Sequence, residues 1–329
     1  MRRLSFVIWS LIVLASGNCG RGGPTPAGAL SVAKTLDDVF GSKSEVQLEL
    51  TDDGALAEIT DLAVDIRGNF IVADGVRLNR VWLFSPEGKL LGILGASGQG
   101  PGEYSSPLSV AVDGEGQILV NDYFRMKIIV YDREYRYRRE IGPVRGHYLH
   151  VEHGGRIYLY DGMVPPRAQG LFDTVKALDR AGELLFSFAP IPEAALESRF
   201  SRLADGMDIG RSGRIYEMNH LVYRIREFTP EGKLIKSFGN PEARQTAAAG
   251  EAPLDLNGPF CLASGLVIVQ RENVLDIFDN DGTLAASGIP CDRRILLARG
   301  NAIYLEAWDE ADEQGKGSNP RIVRYELRP

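Results

Sequence analysis

Four groups of side chains in this 329-residue chain could do chemistry. His147, His150 and His153 form an H-x-x-H-x-x-H run, built from the residue type that ligates zinc and moves protons near neutral pH. Side chains alternate across a strand, so His147 and His153 could share a face while His150 points the other way. Three ligands to one metal are therefore not expected of this run alone, and satisfied or solvent-facing histidines are the plainer reading. The acidic run EAWDEADE, Glu306 to Glu313, could attract calcium, yet it lacks the alternating spacing and the glycine of an EF-hand loop and reads as a solvated loop. GASGQGPG from Gly95 is Gly-rich but lacks the Gly-Lys-Ser/Thr ending and following helix of a phosphate cradle, so it reads as a connection. Cys261 and Cys291 are an even pair that either bridge or remain two buried thiols. No Ser-His-Asp order, zinc helix motif, CxxC pair or dinucleotide fingerprint occurs.

The elements that must position these residues repeat. ITDLAVDIRGNFIVADGVRLNRVWLFSPEGKLLGILG from Ile59 and PLSVAVDGEGQILVNDYFRMKIIVYDREYRYRREIG from Pro107 are two copies of one unit. In each, an apolar strand, a Gly turn, a second strand and a third strand lead to another turn. The first turn carries Gly68, Gly116, Gly155 and Gly213, followed by the runs FIVAD, ILVND, IYLYD and IYEMN. LVIVQ after Gly265 and AIYLEAW after Asn301 bring the count to six. The outer turn recurs as SPEGKL, DRAGEL, TPEGKL and DNDGTL, all hairpin signals. A sheet of this kind cannot cover both its faces alone. Six of them around an axis can, which predicts an all-β six-bladed β-propeller of four-stranded antiparallel blades, with an open solenoid or two sandwiches as the competing topologies. EVQLELTD, Glu45 to Asp52, alternates apolar and polar residues and is expected to close the ring as an N-terminal strand.

Aligning the units sorts the polar residues. Asp65, Asp113, Glu152 and Gly210 fall just before the first turn, where a carboxylate caps backbone N–H groups. His150 and Asp208 fall where the first two units have Ala63 and Ala111, so a polar side chain replaces a small apolar one beside the central channel. They are the candidate channel site. The run VPPRAQGLFDT lengthens the third unit, and IPEAALESRFSRLAD reads as an amphipathic connection. Arg167, Phe172, Arg199, Phe200 and Arg202 in these stretches are candidate rim contacts, because Arg and aromatic side chains dominate binding hot spots; Phe172 and Phe200 could equally be core anchors.

Met1-Arg2-Arg3 and the apolar Leu4 to Ala15 form a signal-peptide pattern over residues 1–18. Cys19 then reads as a lipid-attachment residue, residues 19–44 as a tether and 45–329 as the propeller. Without residues 1–18 the net charge moves from −7 to −9, because Arg2 and Arg3 leave. An acidic body argues against nucleic-acid binding, so membrane contact is expected only through lipid on Cys19.

The repeat resembles six-bladed propellers of the NHL type. Gly95 to Asp122 is similar to a segment of bacterial propeller lipoproteins, a G-x-G-P-G-E-[FY] connection, a Pro opening the next blade and a strand ending in Asp. Gly98, Gly100, Pro101, Gly102, Glu103, Tyr104 and Pro107 carry that likeness; Ser16 and Asn18 depart from the lipoprotein pattern before Cys19. The resemblance implies architecture and a place in the bacterial cell envelope more than chemistry; the expected role is that of an exported monomer that presents one rim to a protein, peptide or glycan and needs no cofactor. The alternative it implies is a calcium- or zinc-dependent hydrolase or lyase, lactonase-like, with its site in the channel.

Overall fold

Six four-stranded antiparallel sheets stand around a central channel in the computed structural model, which describes residues 30, 33–49, 56–161, 172–191, 206–218, 223–243, 255–308 and 320–328. From the channel outward, blade 1 comprises Asp61–Val64, Phe70–Asp74, Arg80–Phe84 and Leu90–Ile93. Blade 2 comprises Pro107–Val112, Ile118–Asp122, Lys127–Tyr131 and Tyr137–Ile141. Blades 3, 4 and 5 begin on the channel with Tyr148–Val151, Met207–Ile209 and Leu256–Cys261. Blade 6 is built from both ends of the chain: Ile295–Arg299, Ala302–Ala307, Arg321–Leu327 and, outermost, Phe40–Gln47. The N-terminal strand therefore closes the ring, pairing Phe40 with Leu327 and Gln47 with Arg321. It starts at Phe40, inside the segment expected to be tether, and ends at Gln47, whereas the alternation of the sequence had suggested Glu45 to Asp52.

The propeller has no single core. Six apolar clusters each lie between two adjacent blades. One joins Ala63, Ile71 and Val81 of blade 1 to Val110, Ile118 and Val120 of blade 2, and another joins Val72 and Trp82 of blade 1 to Tyr304 and Ile322 of blade 6. Second strands are covered on both faces, so FIVAD, ILVND and IYLY are buried at every position. Outermost strands have one face open, and LLGI exposes every other residue.

The turns explain the repeated polar residues. Asp65 Oδ1 accepts the N–H groups of Arg67 and Asn69, both at 2.8 Å, and Asp113 Oδ1 accepts those of Glu115 and Gln117 at 2.9 and 2.8 Å. Gly68 and Gly116 hold φ of +86° and +82°, which a residue with Cβ avoids. The Asp that ends a second strand is also structural: buried Asp122 accepts the N–H groups of Ser105 and Ser106 at 2.8 and 3.0 Å, tying down the chain that enters its blade. The Gly-rich stretch before it folds upon itself. Glu103 accepts the Gly100 N–H at 2.6 Å, and the Arg125 guanidinium donates to the carbonyls of Gly98, Gln99 and Glu103. It is an inter-blade connection, as its sequence suggested.

The two rims differ. At the lower rim, where innermost strands end, no link between consecutive strands exceeds 5 residues. At the upper rim, where they begin, Tyr160 to Asp173, Pro190 to Met207, Phe238 to Leu256 and Ala307 to Arg321 are joined by 12 to 17 residues.

Candidate functional site

One position on each innermost strand faces the second residue of the second strand and turns its side chain to the channel. Around the ring these residues are Ala63, Ala111, His150, Asp208, Phe260 and Ala298, opposite Ile71, Leu119, Tyr158, Tyr216, Ile268 and Ile303. All six line one cavity of about 290 Å³. His150 and Asp208 therefore sit at the register inferred for them, on neighbouring blades, with His150 Nδ1 4.0 Å from Asp208 Oδ1. Leu149, Met207, Phe260 and Leu297 flank them, and Asp61, Asp113 and Arg299 add further polar groups to the wall.

Among the described residues, polar groups on the innermost strands link five of the six neighbouring blade pairs by hydrogen bonds. Asp61 Oδ2 of blade 1 accepts the Ser109 hydroxyl at 2.7 Å and the Val110 N–H at 2.9 Å from blade 2. Ser109 Oγ in turn accepts the Leu149 N–H of blade 3 at 3.1 Å. Asp208 Oδ2 accepts the Cys261 N–H of blade 5 at 2.7 Å, and Asn257 donates to the Ile295 carbonyl of blade 6 at 2.8 Å. Arg299 joins blade 6 to blade 1 by donating to the carbonyls of Val64 and Asp65. A carboxylate receiving a neighbouring blade's backbone N–H is a latch, which is the role the geometry gives Asp208. Asp61, Ser109, Asn257 and Arg299 escaped the sequence reading; the available signal was that Asp61 and Ser109 stand two residues before the aligned Ala63 and Ala111.

The three histidines are not brought together. His147 precedes the strand Tyr148–Val151, is 3 % exposed, hydrogen-bonds Asp161 through Nδ1 at 2.8 Å and stacks on Tyr123 with ring centroids 4.2 Å apart. Burial works against the ionised Asp161 carboxyl, but the His147 hydrogen bond and the charges of His147, Arg145 and Lys176 outweigh it and lower its pKa. His153 lies in the lower-rim turn at the other end of the strand. Among the described residues no group of three or more His, Cys, Asp or Glu side chains could hold a metal ion.

Cys261 and Cys291 do not pair. Both are buried free thiols. Cys261 faces the cluster between blades 4 and 5, and Cys291 that between blades 5 and 6. Cys261 also pairs with Val267 at the lower end of its blade, while the Cys291 N–H donates to Asn273 at the upper end. Four residues of strand separate those levels, roughly 13 Å, beyond the reach of a bridge. Burial pushes the Cys291 thiol up to about 11 and raises Cys261 as well.

A second cavity, about 310 Å³, opens at the upper mouth between Thr60, Tyr148, Asn257, Glu272, Asp292 and Arg294. Its lining of hydroxyl, amide, carboxylate and guanidinium groups could hold one polar group of a larger ligand, since it lies at the small end of the range for ligand pockets. The same rim exposes Phe124 (75 %), Val76 (54 %), Met126 (46 %) and Trp308 (41 %). Of the residues proposed as rim contacts, Phe172 is half-buried and its carbonyl accepts the Ile191 N–H at 2.8 Å. Arg167, Arg199, Phe200 and Arg202 lie outside the described residues, as does Cys19.

Residues 31–162 match the model of the DUF5128 family, described as a 6-bladed beta-propeller. No curated protein matches the chain in sequence. Among solved structures, a putative exported protein from Bacteroides fragilis is similar at 10% identity and a TM-score of 0.62, over 91% of this chain and 98% of that one. A gluconolactonase from Xanthomonas campestris is similar at 16% identity and a TM-score of 0.53, over 88% of this chain and 91% of that one. Virginiamycin B lyase from Staphylococcus aureus is similar at 12% identity and a TM-score of 0.53, over 87% and 99%. At such identities the likeness is one of fold.

Proposed function

We propose that this propeller is exported, anchored through lipid on Cys19, and binds a protein, peptide or glycan at its upper rim. The observation that carries this reading is the asymmetry of the rims in connection length: the strand ends joined by 12 to 17 residues all lie at the upper rim, which also holds the polar mouth cavity and the exposed Phe124 and Trp308. Large aromatic side chains left in water beside a polar pocket suit a binding surface, because aromatic anchors carry most of the energy of recognition. Binding is favoured over turnover in the channel because Asp61 and Asp208 are employed between blades.

Arrays of peptides and of envelope glycans, probed with the purified protein, test the reading. Trp308→Ala and Phe124→Ser should weaken whatever ligand is captured by at least about tenfold, the size of a hot-spot loss, whereas Arg67→Ala on the lower rim should leave it unchanged. Binding that depends on the lower rim would overturn the assignment. So would calcium- or zinc-dependent lactone opening lost in His150→Ala.

A further inference from the structure

The place where the chain joins the fold fixes which rim a lipid anchor would face. Phe40, the first residue of the closing strand, pairs with Leu327, whose N–H donates to Asn301 in the lower-rim turn of blade 6, and the Arg328 N–H donates to the Val39 carbonyl. The short helix α1, Leu36–Val39, is held at that level by a capping box between Thr35 and Asp38. Lys34 and Thr35 both donate to the Asp38 carboxylate at 2.9 Å, and the Ala33 N–H donates to Leu30, itself 2 % exposed in the cluster between blades 5 and 6. The chain is thus bound at the lower rim from Leu30 onward.

We infer that the lower rim faces the bilayer and the upper rim faces away from it. The inference rests on the lipid-anchor reading above. Ten residues lie between Cys19 and Leu30, eleven steps along the chain, so a lipidated Cys19 lies within about 40 Å of the lower rim even at full extension. The seven-residue strand Arg321–Leu327 sets a blade height of roughly 23 Å. Bringing the upper rim onto the membrane would make the link span the blade height, beyond the r.m.s. reach of about 18 Å for a flexible chain of this length, at a cost in conformational freedom.

The test uses the full chain, purified with its lipid and inserted into vesicles of phosphatidylethanolamine and phosphatidylglycerol carrying a nitroxide headgroup quencher. A dye is attached at Ser212→Cys on the lower rim or at Asn273→Cys on the upper; the native buried thiols do not compete. Quenching several-fold stronger at position 212 is the expected result. Equal quenching, or stronger quenching at 273, in protein whose Cys19 carries acyl chains by mass spectrometry would overturn the orientation. Absence of acyl chains on Cys19 would instead overturn the anchor reading, and the orientation with it.

Discussion

Replacing Asp208 separates a latch from a catalytic carboxylate. Its Oδ2 takes the Cys261 N–H across the interface of blades 4 and 5 at 2.7 Å, while its Oδ1 takes the adjacent Ile209 N–H, also at 2.7 Å, a local contact that adds little between blades. A hydrogen bond to an ionised acceptor contributes about 1.5–3 kcal/mol, and an orphaned buried donor costs about 1–3 kcal/mol. The side chain is 19 % exposed, so water recovers part of this loss, and Asp208→Ala should cost about 2 kcal/mol, while Asp208→Asn, which keeps one acceptor oxygen, should cost about half as much. For a domain of this size 2 kcal/mol corresponds to roughly 5 °C in Tm. Urea unfolding followed by Trp82, buried between blades 6 and 1, reports the change. A loss below about 0.5 kcal/mol for Asp208→Ala, within the usual effect of an unimportant surface change, would refute the latch. Equal losses for Ala and Asn would show that charge rather than the hydrogen bond does the holding.

Removing residues 30–49 should abolish cooperative folding, because Arg321–Leu327 becomes an open edge and Val39, Phe40 and Leu30 leave the cluster between blades 5 and 6; a monomer with an unchanged melting curve would contradict the closure. Asp276 should generate part of the acid limb of stability. Burial opposes its ionised form, but hydrogen bonds from Tyr223 (2.6 Å), Ser287 (2.7 Å) and Asn240 (3.2 Å) together with Arg271 lower its pKa below 3.8. With the folded pKa the lower one, its stabilisation is complete above the unfolded carboxylate value and fades as pH falls through the folded one, so urea midpoints should drop below about pH 4 and Asp276→Asn should flatten that drop.

What was legible in the sequence was whatever repeats through turn chemistry. The first-turn glycines, the Asp65 and Asp113 caps and the outer turns, where Asp132 and Asp279 each accept two backbone N–H groups, need only local contacts and so print themselves at a fixed offset in each unit. The closing strand was found but misplaced by five residues at its start. Its burial pattern has five consecutive exposed residues, so alternation holds no information there, and the register comes from pairing with Arg321–Leu327. His147 shows the same limit. IYLYD ends in Asp161 as FIVAD ends in Asp74 and ILVND in Asp122, yet where Asp74 and Asp122 take backbone N–H groups Asp161 takes an imidazole, a partner that no spacing announces.

The ring of latches also bears on where function can evolve in such a molecule. Asp61 and Asp208 each hold two blades together, so altering either for chemistry sacrifices a contact between blades, and stability is only a small margin over the cost of ordering the chain. The long upper-rim connections begin and end on strands already fixed by six inter-blade clusters, so their length and composition can change while the clusters keep their packing. The lower rim is constrained by its tight capped turns and by the incoming N-terminal segment. Under the binding role proposed above, recognition would fall to the upper rim, and lipid attached ahead of Leu30 would present that rim to the aqueous side.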